Sequence, residues 1–420
     1  MAAFLKPVPV KPKLRFNFMV VIMKKKMKGM KKLILLFSLL IIGVPNIFAQ
    51  SIEAVLNQVE ENNTTLAALR KKTDAEKIGN KTGIYPDNPE FEFHYLWGTP
   101  SAIGNRQDLS ISQTFDFPTA YIYKNEISEI NNNQAELEYI KQKKTVLLET
   151  RLVLYDLIYL NALIEELSTR NQHAKTIADS YNARFDAGDA NILELNKAKI
   201  NLLNIDKELE TARVERMASL STLKTLNGGE FINFTKSSFA PGTLPGSFEQ
   251  WYSLAENNNP ILNWLREEIE KSNQQIKLER AMSLPKLKGG YMSEKVMDEQ
   301  FRGVALELTI PLWQDKNKVK YAKAKNEAAE SELFNTKLRF YNHLEMLYIK
   351  ATGLQKTVIE YRSELQQLDH TDLLVKALNA GEISLIDYIM ELTIFYNGMN
   401  KILELERELN KTVAQLNQFS

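Results

Sequence analysis

The placement of helix breakers constrains this chain more than any other feature. No proline occurs between Pro118 and Pro241, none follows Pro311, and glycine is absent from Thr119 to Ala187. These stretches are rich in Leu, Glu, Lys, Asn and Ala, and so predict long helices. In the first of them apolar residues recur at Ile127, Ile130, Leu137, Ile140, Leu148, Leu152, Tyr155, Tyr159, Leu163, Leu167, Ala174, Ile177 and Tyr181. Most gaps are three, four or seven residues, the spacing of a coiled-coil seam. An unbroken helix from Pro118 to Asn182 is about 95 Å long, which a globular domain rarely contains. A long antiparallel coiled coil or a helical tunnel does.

Two strand pairs are predicted between the helical stretches, at about 89–98 with 107–117 and about 285–292 with 301–312. Phe91, Phe93, Tyr95 and Trp97 fall on one face of the first strand, with Glu92 and His94 on the other. In the last strand Val304, Leu306, Leu308 and Ile310 oppose Ala305, Glu307 and Thr309. Apolar-out, polar-in strands of about ten residues with aromatics suit a transmembrane barrel. A soluble antiparallel sheet with one wet face gives the same alternation.

The chain repeats itself. Asn62-Asn63-Thr64-Thr65-Leu66 matches Asn258-Asn259-Pro260-Ile261-Leu262, and each opens a helical stretch that ends at a proline, Pro89 or Pro285. Each strand pair ends near a proline, Pro118 or Pro311, before a long helix that runs to an Ala-Gly step. Pro118 to Gly188 is 70 residues, and so is Pro311 to Gly381. The expected division is an N-terminal extension and signal peptide at 1–49, a first repeat at 50–227, a linker at 228–247 and a second repeat at 248–420. Both hairpins then lie at one end and both glycine turns at the other. Four strands cannot close a barrel around a pore, so several copies must share one.

Met30-Lys31-Lys32, the apolar run Leu33 to Val44 and Ala49 read as a secretory signal cut after Ala49. No later segment approaches 18 apolar residues, so membrane contact is expected from strands alone. Basic and acidic residues number 53 and 52, which gives no footing for a nucleic-acid partner. The absence of cysteine excludes disulfides, thiolate chemistry and a lipidated cysteine. His94, His173, His343 and His370 are scattered, and no phosphate loop or nucleophile motif is present. No enzymatic role, cofactor or bound metal is expected.

Certain segments resemble the TolC-type outer-membrane efflux proteins. They are Arg184-Phe185-Asp186-Ala187-Gly188 followed by Ile192-Leu193-Glu194-Leu195, and its echo Ala377-Leu378-Asn379-Ala380-Gly381 followed by Leu385-Ile386-Asp387-Tyr388. Asn259-Pro260-Ile261-Leu262 and Leu308-Thr309-Ile310-Pro311-Leu312-Trp313 are others. The resemblance covers about residues 51–420. It implies a mainly α fold with a small transmembrane β part: a homotrimer whose 12-stranded barrel joins a periplasmic α-helical tunnel. It further implies a periplasmic adaptor protein, an inner-membrane resistance-nodulation-division pump and passive export. The segment Ser112 to Thr119 looks most like the branch that exports heavy-metal cations. A type I secretion duct, or a periplasmic coiled-coil adaptor, is the alternative.

The resemblance carries roles to particular residues. Ala187, Gly188, Ala380 and Gly381 map to the periplasmic tips that dock the adaptor. Asp387 and Glu194 match acidic residues that ring the pore, and Arg184 and Asp186 are candidates for ion pairs that hold the gate. Phe91, Phe93, Tyr95, Trp97, Val304, Leu306, Leu308 and Ile310 are expected to face lipid. The external loops, Thr99–Arg106 and Ser293–Gln300, are expected to be small.

Overall fold

Asparagine caps explain the repeated Asn-Asn motif. The Asn63 side chain accepts from the Leu66 N–H at 2.9 Å, and that of Asn259 accepts from the Ile261 N–H at 2.8 Å. Each is buried at its helix N-terminus and satisfies a donor that the helix itself leaves open. The computed structural model describes residues 51–420 except 241, 243, 369 and 420. The expected signal peptide lies outside the described residues. Helix α1 (Ile52–Asn62) and α2 (Thr64–Gly79) precede strands β1 (Glu90–Leu96) and β2 (Arg106–Phe115). Next come α3 (Pro118–Asp186), α4 (Ile192–Leu226), α5 (Phe248–Asn258), α6 (Pro260–Met282), β3 (Lys286–Val296) and β4 (Glu299–Thr309). The chain closes with α7 (Lys318–Gln367), α8 (Thr371–Ala380) and α9 (Leu385–Leu416).

The breaker-free stretch forms one helix of 69 residues, α3, about 100 Å long. Pro118 sits in its first turn, where its missing N–H costs nothing. Around Leu154 to Ala162 nearly every side chain of α3 is covered or half covered. There α1, α4 and the segment after α4 close over it, with Val55, Val59, Leu154, Leu157, Ile158, Leu223, Ile232 and Phe234 as a common core. The described residues of that segment, 228–247, form no helix or strand but are firmly docked. The Asn161 amide donates to the Lys236 carbonyl at 2.9 Å, and the Tyr348 hydroxyl donates to that of Pro245 at 3.1 Å.

The second half departs from the equal-length expectation. Helix α7 starts seven residues after Pro311, past a turn in which Asn317 takes a left-handed φ of 70°. It has 50 residues and stops before His370, after which α8 adds ten. No proline or glycine marks the break. The Leu368 N–H tightens onto the Leu365 carbonyl, and the His370 carbonyl takes the Leu373 and Leu374 amides to start a new helix. Asp372 lies in the first turn of α8, where a negative charge favours a start.

All four strands form one antiparallel sheet in the order β1-β2-β3-β4. The β2–β3 pairing, Arg106 with Val296 through Phe115 with Leu287, joins the two halves. The expected loop at Ser293–Gln300 is overturned, because β3 and β4 pair as far as Val296 with Glu299. Only Met297 and Asp298 remain as the turn, with Met297 at φ 52°. The missed end of β3 carries Ser293 and Lys295 on its apolar face, which hid its true length.

Helices α7 and α9 share the cluster Ala351, Val358, Ile402 and Leu409. On this seam Glu406 is buried and paired with Arg362, whose side chain is 55% exposed. Burial raises the Glu406 pKa, and Arg362 opposes the rise. The pair is lopsided, so its two halves answer differently to substitution. Arg362→Met strands a buried carboxylate and is expected to cost about 2 kcal/mol at pH 7. Glu406→Gln leaves a solvated guanidinium and is expected to be near neutral. A carboxyl whose folded pKa is raised holds its proton more tightly when folded. Stability lost in Arg362→Met therefore returns as pH falls through that folded pKa. Thermal midpoints at pH 7 and pH 5 check the order; equal loss in both variants would contradict it.

Candidate functional site: helical tips and barrel sector

The two helix–helix turns are built alike. In the first, the Gly188 N–H donates to the Phe185 carbonyl at 3.0 Å and the Asp189 N–H to that of Arg184 at 2.8 Å. In the second, the Gly381 N–H donates to the Leu378 carbonyl at 3.1 Å and the Glu382 N–H to that of Ala377 at 2.9 Å. This bond pair closes a helix on a left-handed residue. Gly188 and Gly381 supply it, with φ of 82° and 76°. Beside them, Ala187 is the C-cap that follows the last helical residue Asp186, and Ala380 is itself the last residue of α8. In both turns the glycine stands three residues before the next N-cap, Asn191 or Ser384.

The tips meet in space. Ala178 and Tyr181 of α3, Leu195 and Ala198 of α4, Leu378 of α8, and Leu385, Tyr388 and Leu392 of α9 form one buried cluster. Both glycine turns therefore lie at the same end of the chain. Burial within this cluster pushes the Tyr388 hydroxyl pKa up to about 12.

Glu194 and Asp387 close capping boxes. Glu194 Oε2 accepts from the Asn191 N–H at 3.0 Å, while the Asn191 side chain accepts from the Glu194 N–H at 3.0 Å. Asp387 Oδ2 accepts from the Ser384 hydroxyl at 2.5 Å and from its N–H at 3.3 Å. Each satisfies two donors at a helix start. Asp387 is nonetheless exposed, and Glu194 is half-buried. Arg184 and Asp186 do not pair with each other in this chain. Arg184 lies over the Tyr181 ring at 5.0 Å, and Asp186 accepts from the Asn182 amide at 3.3 Å.

The sheet register places Phe91, Phe93 and Tyr95 on the same face as Leu109, Ile111, Tyr291, Val304, Leu306 and Leu308. Trp97 follows the strand and meets the Tyr95 ring edge-on at 5.4 Å. This face is bare: Val304 is 82% exposed and Leu306 77%. A contiguous apolar patch of this kind marks a protein or membrane contact. Glu90, Glu92, His94, Asp108, Lys288, Glu294 and Glu307 occupy the opposite face. There Lys288 bonds Glu90 at 2.7 Å and Arg106 reaches Glu294 at 3.1 Å. Strands β1 and β4 are both unpaired along their outer edges. Among the described residues no helix is long and apolar enough to cross a membrane, and no group of three or more His, Cys, Asp or Glu has metal-holding geometry.

Neither a scan against protein-family models nor a search of curated protein sequences finds a match. Solved structures do match. The Campylobacter jejuni CmeC outer membrane channel superposes with a TM-score of 0.70 at 15% identity, over 87% of this chain and 84% of that one. The fold is that of outer-membrane channels. CusC, solved in a study of folding and transmembrane channel formation, gives a TM-score of 0.73 at 12% identity over 90% and 96% of the two chains. The Vibrio cholerae outer membrane protein VceC gives 0.70 at 13% over 88% and 95%.

Sequence reasoning missed one polar cluster. Arg170 is 3% exposed, donates to Asn400 Oδ1 at 3.0 Å and stacks on the Tyr396 ring at 4.2 Å. The signal was available: Leu163, Leu167, Arg170 and Ala174 continue the three-four spacing, so a charge stands on the seam.

Proposed function

We propose that the chain is the outer-membrane duct subunit of a tripartite efflux system and acts without chemistry. The observation that carries this reading is the sheet, apolar on one bare face, charged on the other and open at both edges. Strands in lipid must close on themselves, because unpaired backbone groups there cost several kcal/mol each. Pairing β4 of one copy with β1 of the next uses both edges, and three copies give a barrel of twelve strands. The apolar face then meets lipid and the charged face lines the lumen. A periplasmic coiled coil gives no reason for that bare face.

The helices continue the duct toward the inner membrane. The tips docked by a periplasmic adaptor are Ala187, Gly188, Ala380 and Gly381, and an inner-membrane resistance-nodulation-division pump supplies the cargo. The segment Ser112 to Thr119 makes heavy-metal cations the first cargo to test. Three copies of Asp387 at a narrow entrance favour cations, with Glu194, Arg184 and Asp186 around them.

Conductance of the detergent-extracted protein in a planar bilayer tests this. Discrete openings with cation preference are expected. Asp387→Asn, which keeps a capping oxygen, is expected to reduce that preference severalfold with the trimer intact. A protein that is soluble without detergent and never inserts would sink the reading.

A further inference from the structure

The apolar face of the sheet carries two charged strand residues, and both are cations. The register puts Lys295 and Arg302 on the side of Tyr291, Val304 and Leu306. The strand carboxylates, Glu90, Glu92, Asp108, Glu294, Glu299 and Glu307, all fall on the other side. There they take the ion pairs of Lys288 with Glu90 and of Arg106 with Asp108 and Glu294. Lys295 and Arg302 are exposed, and among the described residues neither has an ion pair. Arg302 donates only to Gln300 Oε1, at 2.7 Å. Nothing on this face neutralises the two cations.

Their level follows from the rows of the sheet. Nearest the β3–β4 turn is the row Tyr95, Gln107, Lys295 and Gln300. The next holds Phe93, Leu109, Ser293 and Arg302. From Val304 on to Leu308 the face is apolar but for Gln113 and the Tyr291 hydroxyl. Successive rows on one face stand about 7 Å apart, so the cations form a narrow band at one edge of an apolar field. Tyr95 stands in that band with Trp97 against it, and its hydroxyl accepts from the Asn105 amide at 2.8 Å. Tyr and Trp favour the level of lipid headgroups. A cation on a lipid-facing strand is costly at mid-membrane and tolerated near the interface. Lys295 and Arg302 are diagonal neighbours across β3 and β4, about 7–8 Å apart at Cα. The Arg fork suits phosphate oxygens, and the Lys stem can lie along apolar surface while its ammonium reaches out.

We propose that Lys295 and Arg302 hold a phosphate-bearing lipid headgroup of net negative charge at the turn end of the sheet. The proposal rests on the duct reading, which puts this end at the outer leaflet because the helical tips point the other way.

The test uses the full chain reconstituted into phosphatidylcholine vesicles that contain brominated lipid, whose acyl bromines quench nearby tryptophan. Trp97 is the reporter for this band, and Trp313→Phe, carried throughout, removes the exposed tryptophan that follows β4. Quenching by brominated phosphatidic acid is compared with quenching by brominated phosphatidylcholine at low ionic strength. Phosphatidic acid is expected to be preferred at least about fivefold, the factor for a single cation at an anionic surface. Lys295→Gln combined with Arg302→Gln is expected to bring the preference close to one; both side chains are exposed, so the fold is kept. Lys288→Gln makes the same kind of charge change on the opposite face and is expected to leave the preference in place. No quenching by either lipid means that the chain does not enter the bilayer, which overturns the duct reading and this proposal with it. Equal quenching by the two lipids in an inserted chain overturns this proposal alone. So does a preference that survives the double variant, or one that Lys288→Gln abolishes as well.

Discussion

Gly290→Val is expected to reduce the assembled, heat-resistant oligomer in the outer membrane by more than tenfold. Gly290 sits between Ser112 and Ala305 in the sheet. A Cβ there meets the Ile111 carbonyl oxygen at 2.6 Å and Ser112 Cα at 3.1 Å. Both are backbone atoms, so no side chain can turn aside to make room. The strands must part at the pairing that, among the described residues, joins the hairpin of one half to that of the other. The helices keep their own cores, so helical circular dichroism should change little. Gly303→Val is the control. A Cβ at Gly303 meets nothing within 4 Å, although it pairs with Met292 of the same β3. Assembly of Gly290→Val at the level of Gly303→Val would show that this close approach does not matter.

Gly381→Val is expected to leave the oligomer intact and to cut export about tenfold. The left-handed backbone of Gly381 costs a β-branched residue on the order of 1–2 kcal/mol. A Cβ at that position meets nothing within 4 Å, so the strain has no clash added to it and stays at the tip. The buried cluster under the tip, including Leu378, Leu385 and Tyr388, is untouched and holds the hairpins together. On the proposed reading, what changes is the shape of the turn that the adaptor docks on. Oligomer level on a gel and export in cells separate the two effects. Full export at a normal oligomer level would remove the main support for tip docking.

The helices were legible because two independent signals agreed: breakers were missing and apolar residues kept the seam. The Asn-Asn pair of each half was legible as a repeat, and the capping role of its second Asn became plain only with the bonds of Asn63 and Asn259. Less was readable where the signal is tertiary. The break before His370 carries neither proline nor glycine and shows only in the bonds that end α7 at Leu368 and start α8 at His370. The length of β3 was hidden because its polar face carries Met292 and its apolar face Ser293 and Lys295. Arg170 and Glu406 stand at seam positions, and burial of a charge there is decided by partners on other helices, Asn400 and Arg362. Glu194 and Asp387 show the converse. The family resemblance suggested a pore ring for them, while their contacts within one chain are those of capping boxes.

The pairing of β2 with β3 also sets an order of events. Phe115 pairs with Leu287 and Arg106 with Val296, partners roughly 170 to 190 positions apart. Contacts so distant in sequence form late, after the chain between them has been confined. Helices α3 and α4 fold over local spans, whereas the sheet has to wait until the second hairpin exists. Until then β1 and β2 present Phe91, Phe93 and Ile111 to water on an unpaired ribbon, a surface prone to aggregation. In a duct, the lipid-facing part of this molecule is the last to mature, and a chaperone that shields short aromatic strands would be needed for the interval between emergence of Phe115 and of Leu287.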